Sequence, residues 1–103
     1  MLVEFTKELL LGEGVSNTDY NLIKQGKPSP GIYLIGISPA PNRICEILSS
    51  RTMLSYPHKS VKYRIVALAK GKKNAVDILK SVLQEHLESG GAADSFKQFL
   101  AGN

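Results

Sequence analysis

At 103 residues, with 43% hydrophobic and 21% charged side chains, the chain has the size and composition of one globular domain, residues 1–103, and not of a disordered segment. Its single cysteine, Cys45, excludes an intramolecular disulfide and a cysteine-based zinc cage, and no apolar run approaches the roughly 20 residues of a membrane span. The formal net charge of +4 is spread unevenly: from Tyr20 to Val76 ten Lys and Arg stand against one acid, Glu46, while the remainder holds three Lys against eight acids.

Such a basic centre attracts an anionic partner, or holds the chain's own acidic ends, or a second copy, against itself. The opening MLVEFTKELLL has no basic leader and no uninterrupted apolar block of signal-peptide length, so the expectation is a cytoplasmic protein with no membrane partner.

Leu2, Phe5, Leu9 and Leu10 recur at helical spacing, which predicts a helix over residues 2–11 stopped by Gly12 and Gly14. Residues 15–30 are rich in Ser, Asn, Asp, Gly and Pro and read as a surface connection with one helical turn around Asp19 to Lys24. The apolar run Gly31 to Ile37 predicts a strand buried on both faces. After the Ser38–Asn42 turn, Ile44, Cys45, Ile47 and Leu48 fit one side of a short helix that closes at Ser49 and Ser50. Thr52 to Tyr56 reads as an optional short strand, with Pro57 to Ser60 as a loop.

Val61 to Ala69 predicts a second strand, Val61, Tyr63, Ile65 and Ala67 pointing one way and Arg64, Val66 and Leu68 the other. Gly71 then turns the chain into a long helix with Asn74 as N-cap and Asp77 completing a capping box. Val76, Leu79, Val82, Leu83, His86 and Leu87 form its apolar stripe, and Gly90 and Gly91 end it. A last short helix presents Phe96, Phe99 and Leu100.

The expected class is therefore α/β: a small two- to three-stranded, partly parallel sheet covered by helices, in the order helix-β-α-(β)-β-α-α, its parallel strands joined by a right-handed crossover. Its exposed edges call for a cover, which the N-terminal or C-terminal helix or a second subunit can supply, and a homodimer or another protein partner is the expectation.

The turn Lys70, Gly71, Lys72, Lys73, Asn74 carries a candidate anion site. Three lysines at the positive end of a helix dipole are each unfavourable by about 0.3 to 1 kcal/mol, and a phosphate or carboxylate there relieves the repulsion. The same lysines also suit a solvated turn, since no phosphate-loop or dinucleotide glycine pattern accompanies them. A nucleic acid would engage more of the centre, with Arg51, Tyr56, Lys59, Lys62 and Arg64 as contacts and an aromatic ring among bases to stack on.

Cys45 reads as a buried, inert thiol, His58 as a loop residue and His86 as a boundary residue with one solvated nitrogen. No metal motif or carboxylate cluster is present in the sequence, so no cofactor is expected. The expected function is a small binding or protein-interaction module without evident catalytic machinery. The alternatives are nucleic-acid or phosphate-ligand binding through residues 51–74, and a small phosphate-handling enzyme subunit built where the Ser38–Asn42 and Lys70–Asn74 turns leave adjacent strands.

Two pieces of the chain, Leu34 to Asn42 with Leu48 and Ala69 to Lys73 with Asn74 to Asp77, resemble the strand-helix-strand-helix core of the Alba nucleic-acid-binding family over about half the chain. That resemblance implies the parallel crossover described above. Ile37 and Ser38 stand where the family carries a basic pair, and a Gly-Gly and Phe-rich tail stands where it carries a β-hairpin arm, so the likeness is one of fold and not of nucleic-acid contacts.

Overall fold

The structure is a computed structural model that describes residues 4–37, 44–54 and 64–92 together with Phe96 and Leu100. Over these residues the protein is an α/β fold built on a mixed sheet. Its strands are β1 (Glu4–Leu11), β2 (Ile32–Ile37), β3 (Cys45–Ser49) and β4 (Arg64–Lys70), and its helices are α1 (Asn17–Lys24), α2 (Ser50–Leu54) and α3 (Lys72–Glu88). The four strands lie in the order β1-β4-β2-β3. β1 runs parallel to β4, while β2 is antiparallel to both β4 and β3.

The central pair is covered on both faces. Tyr33, Ile35 and Ile37 of β2 pack with α3 residues Ala75, Ile78, Leu79, Val82 and Leu83, whereas Ile32 and Leu34 pack with Ile23 and Tyr20 of α1. On β4 the alternation breaks. Ile35 pairs with Ala67 and Gly36 with Ile65, so Val66 is the extra residue of a β-bulge. Val66 and Ala67 consequently both join the α3 side, and Ile65 and Leu68 the α1 side, instead of the strict alternation expected. Gly36, without a side chain, lies opposite the bulge.

Several sequence expectations are corrected here. Residues 4–11 form a strand and not a helix. Phe5 and Leu9 pack on the α1 side four residues apart, a spacing that two strand repeats share with about one helical turn, and the register of β1 against β4 slips between Phe5 and Leu10. Residues 45–49 also form a strand: Cys45 and Ile47 face the α3 side and Leu48 the α1 side, a period of two. Residues 50–54 are the helix α2, so the optional strand over Thr52 to Tyr56 is not formed at Thr52 to Leu54, and Ser55 and Tyr56 lie outside the described residues. The parallel crossover is absent, because burial on two faces reflects helices above and below and leaves strand direction open. With it goes the Alba-like core, since β3 replaces the helix that should follow β2.

The long C-terminal helix and the Gly71 turn are as expected, and α1 extends the anticipated turn around Asp19 to eight residues capped by Ser16. The inward stripe of α3 is rotated, however: Ala75 and Ile78 face the core where Val76 and Leu87 were expected, and Leu87 is exposed. Phe96 and Leu100, helical and only 3% and 9% exposed, belong to the α3-side core and do not form a free apolar tail; Phe99 lies outside the described residues. Among the described residues no helix is long and apolar enough to cross a membrane.

His86 is buried at 6% exposure and not at the core boundary, its Nε2 lying 2.8 Å from the Ala92 carbonyl and its ring tilted against Phe96 with centroids 5.6 Å apart. Gly91 closes over this ring, and a Cβ added there would fall on the imidazole. Gly91→Ala is expected to lower the unfolding free energy by about 1–3 kcal/mol in urea titrations, the usual cost of overpacking. In the His86→Ala background the same change is expected to cost much less; equal costs in both backgrounds would show that the two residues do not compete for space.

Candidate functional site

The antiparallel pairing of β2 with β4 decides what meets at each end of the sheet. At one end β4 finishes with Lys70 opposite Ile32, the first residue of β2, and β3 finishes with Ser49 opposite Tyr33. The Gly71 amide donates to the Gly31 carbonyl at 2.8 Å, joining the lysine turn to residues 28–31. Gly71 makes this turn at φ +86°, a conformation that glycine adopts without a steric penalty. Between residues 28–33 on one side and Ser49, Ser50 and Arg51 on the other lies a pocket of about 410 Å³.

A chain of short hydrogen bonds holds the pocket wall. The buried Ser50 hydroxyl donates to the Ser29 carbonyl at 2.8 Å and accepts from the Ser29 amide at 3.0 Å. The Ser29 hydroxyl donates to Asp19 Oδ1 at 2.6 Å, and Asp19 Oδ2 accepts from the Ser16 amide and hydroxyl, each at 3.0 Å. Ser16 in turn caps α1 by accepting from the Asp19 amide at 3.1 Å. The Ser16 amide, then the Ser29 hydroxyl, hold the Asp19 carboxyl below the ordinary carboxylate range, with the charge of Lys70 adding to the effect. The Ser49 hydroxyl is likewise engaged, donating to Thr52 Oγ1 at 2.8 Å and accepting from the Thr52 amide at 3.1 Å at the start of α2.

The residues proposed for an anion site stay together. Lys70, Lys72, Lys73 and Asn74 are exposed around Gly71. The helix start differs from the expectation: α3 begins at Lys72 with Gly71 as N-cap and no side-chain cap, and Asn74 Nδ2 donates backward to the Lys70 carbonyl at 2.7 Å. The capping box of Asn74 and Asp77 is thus not formed, because the helix starts three residues earlier.

The nucleic-acid set is not brought together among the described residues. Arg51 is exposed at the pocket end, whereas Arg64 opens β4 beside Ile37 at the other end, roughly 16 Å away at 3.3 Å per strand residue. Tyr56, Lys59 and Lys62 lie outside the described residues, as do Tyr63, His58 and the Ser38–Asn42 turn. Since β2 ends beside Arg64 and β4 ends beside Ile32, the turns after these strands leave opposite ends of the sheet, and the phosphate-handling arrangement that needed them adjacent is not formed.

Cys45 is half-buried on β3, its thiol pushed up first by burial and then by the Glu46 charge, which keeps it a poor nucleophile. The described residues contain no group of three or more His, Cys, Asp and Glu placed to hold a metal. Sequence reasoning missed the pocket and its serine lock; the visible signals were the Ser16-x-x-Asp19 capping pattern and the stiff Pro28-Ser29-Pro30 segment.

Because the folded Asp19 carboxyl titrates below its unfolded value, its contribution to stability is complete above the unfolded value of about 3.9 and is lost as pH falls through the folded one. Thermal melts from pH 7 down to pH 2 are expected to show a smaller loss for Asp19→Asn than for the wild type, with the difference confined to that acidic window. Parallel curves would remove Asp19 from the wall.

No protein-family model, no curated protein and no solved structure matches the chain, which leaves the site to be read from its own geometry.

Proposed function

We propose that the protein is a non-catalytic binding module whose ligand is a small anion-bearing molecule seated in the sheet-end pocket. The observation that carries this reading is the 2.8 Å bond from Gly71 to Gly31, which sets the lysine turn beside a pocket lined on its other side by Arg51. Two stretches of the basic centre, separate in sequence, thereby flank one concave site of the size usual for small ligands. The absence of a side-chain cap on α3 supports the same reading, since the first helical amides are not taken by a cap and the helix dipole favours negative charge there.

Titration with inorganic phosphate and pyrophosphate is expected to move the amide NMR signals of Gly31, Arg51 and Gly71 to Ala75. Replacing Lys70, Lys72 and Lys73 together by Ala is expected to weaken binding about tenfold or more, equivalent to about 1.4 kcal/mol, and added salt to weaken it further. Unmoved signals at millimolar anion would overturn the reading.

Self-association is the second reading, favoured by one observation. β1 is an outer strand of the sheet among the described residues, and its Leu10 and Leu11 are 42% and 48% exposed. A second copy pairing with this edge would cover both. Phe96 and Leu100, buried in the core, take no part in it. Sedimentation velocity at micromolar protein is expected to show a dimer that Leu10→Lys dissociates, and a clean wild-type monomer would end this reading.

A further inference from the structure

We infer that the pocket takes a planar aromatic or heteroaromatic ring carrying a phosphate group, a phosphomonoester of the nucleotide or pyridoxal type, and not a hydroxyl-rich anion such as a sugar phosphate. This rests on the proposal of an anion-binding pocket and narrows its ligand. Two observations carry it.

The first is that the wall's serine hydroxyls are spent on one another and on their neighbours. Ser50 is bonded to both the amide and the carbonyl of Ser29, the Ser29 hydroxyl to Asp19, and the Ser49 hydroxyl to Thr52, and no buried side-chain polar atom among the described residues lacks a partner. A ligand whose hydroxyls must leave water finds few convergent partners on such a wall and loses their hydration. Recognition is left to shape, to apolar contact and to charge at the rim.

The second is the character of the remaining surface. Pro28 and Pro30, with saturated apolar rings, and Tyr33, with an aromatic one, line the same pocket as Arg51. Tyr33 is partly buried against the α3-side core and Pro30 is followed by Gly31, whose carbonyl is fixed by Gly71, so two of the rings stand on a braced backbone. Rigid rings against which a planar ligand can stack, beside a cation, suit an aromatic anion. The stacking contribution of a base on an aromatic side chain is sequence-tolerant, so the wall selects for a ring more strongly than for one particular base.

Isothermal titration of the full chain with adenosine 5′-monophosphate, pyridoxal 5′-phosphate, ribose 5-phosphate and adenosine separates this inference from the reading beneath it. Either ring phosphate is expected to bind about tenfold or more tightly than ribose 5-phosphate, and the tighter of the two assigns the ring type. Tyr33→Leu, checked for folding by circular dichroism, is expected to remove most of that advantage and to leave ribose 5-phosphate binding unchanged. Ribose 5-phosphate binding as tightly as both ring phosphates would overturn the ring and leave the anion site standing. Adenosine matching its monophosphate would keep the ring and overturn the anion. No heat with any of the four would overturn both, and because the comparison uses the wild-type chain it holds even where Tyr33→Leu fails to fold.

Discussion

The antiparallel pairing of β2 with β4 is the constraint on which the rest of the molecule depends. Both strands are buried on their two faces, so neither can shift by one residue without exchanging the sets that pack on α1 and α3. The bulge at Val66 makes this register harder still to change, because it places two consecutive β4 residues on the α3 side. Direction then fixes which side chains meet at each end of the sheet. Lys70 ends beside Ile32 and Arg64 begins beside Ile37, which puts the lysine turn with Gly31, Ser49 and Arg51 and sends Arg64 to the far end.

Much of this fold was legible one element at a time and little of it as a topology. The strands around Ile35 and Ala67, the long helix and the glycine bend at Gly71 follow from apolar runs, helical period and turn chemistry, which are local signals. Strand direction is not local: a two-faced apolar run looks the same in a parallel and an antiparallel sheet. β1 misled for a different reason. Its inward residues Phe5 and Leu9 are four apart, a spacing that two strand repeats and about one helical turn have in common, so the pair alone does not tell a strand from a helix. For β3 the length was the available clue, since five residues suit a strand and fall short of a stable helix.

The site divides in the same way. Its charges could be read directly, because Arg51 and Lys70 to Lys73 are basic whatever the fold does. Its wall could not. Ser29 and Ser50 are 21 residues apart and appear in the sequence as ordinary loop and helix-end serines; only the fold makes each the hydrogen-bond partner of the other. Asp19 shows the intermediate case, where the capping pattern with Ser16 predicts one carboxylate oxygen's partners and the fold supplies Ser29 for the other.

Charge and packing also explain why this end of the sheet is the one suited to a ligand. The acidic ends of the chain return to its basic centre: Glu4 stands opposite Arg64 in the β1-β4 register, and the Asp19 carboxylate feels the charge of Lys70. At the Arg64 end the acid comes from a neighbouring strand of the sheet, and an incoming anion meets a cation with a carboxylate already across from it. At the Gly31 end Asp19 is turned toward Ser16 and Ser29 and serves the wall, while Lys72 and Lys73 stand exposed where the α3 dipole is positive. The Asp19 carboxylate keeps its charge while it braces the wall and still acts on Lys70, which leaves Lys72 and Lys73 as exposed cations at the start of α3.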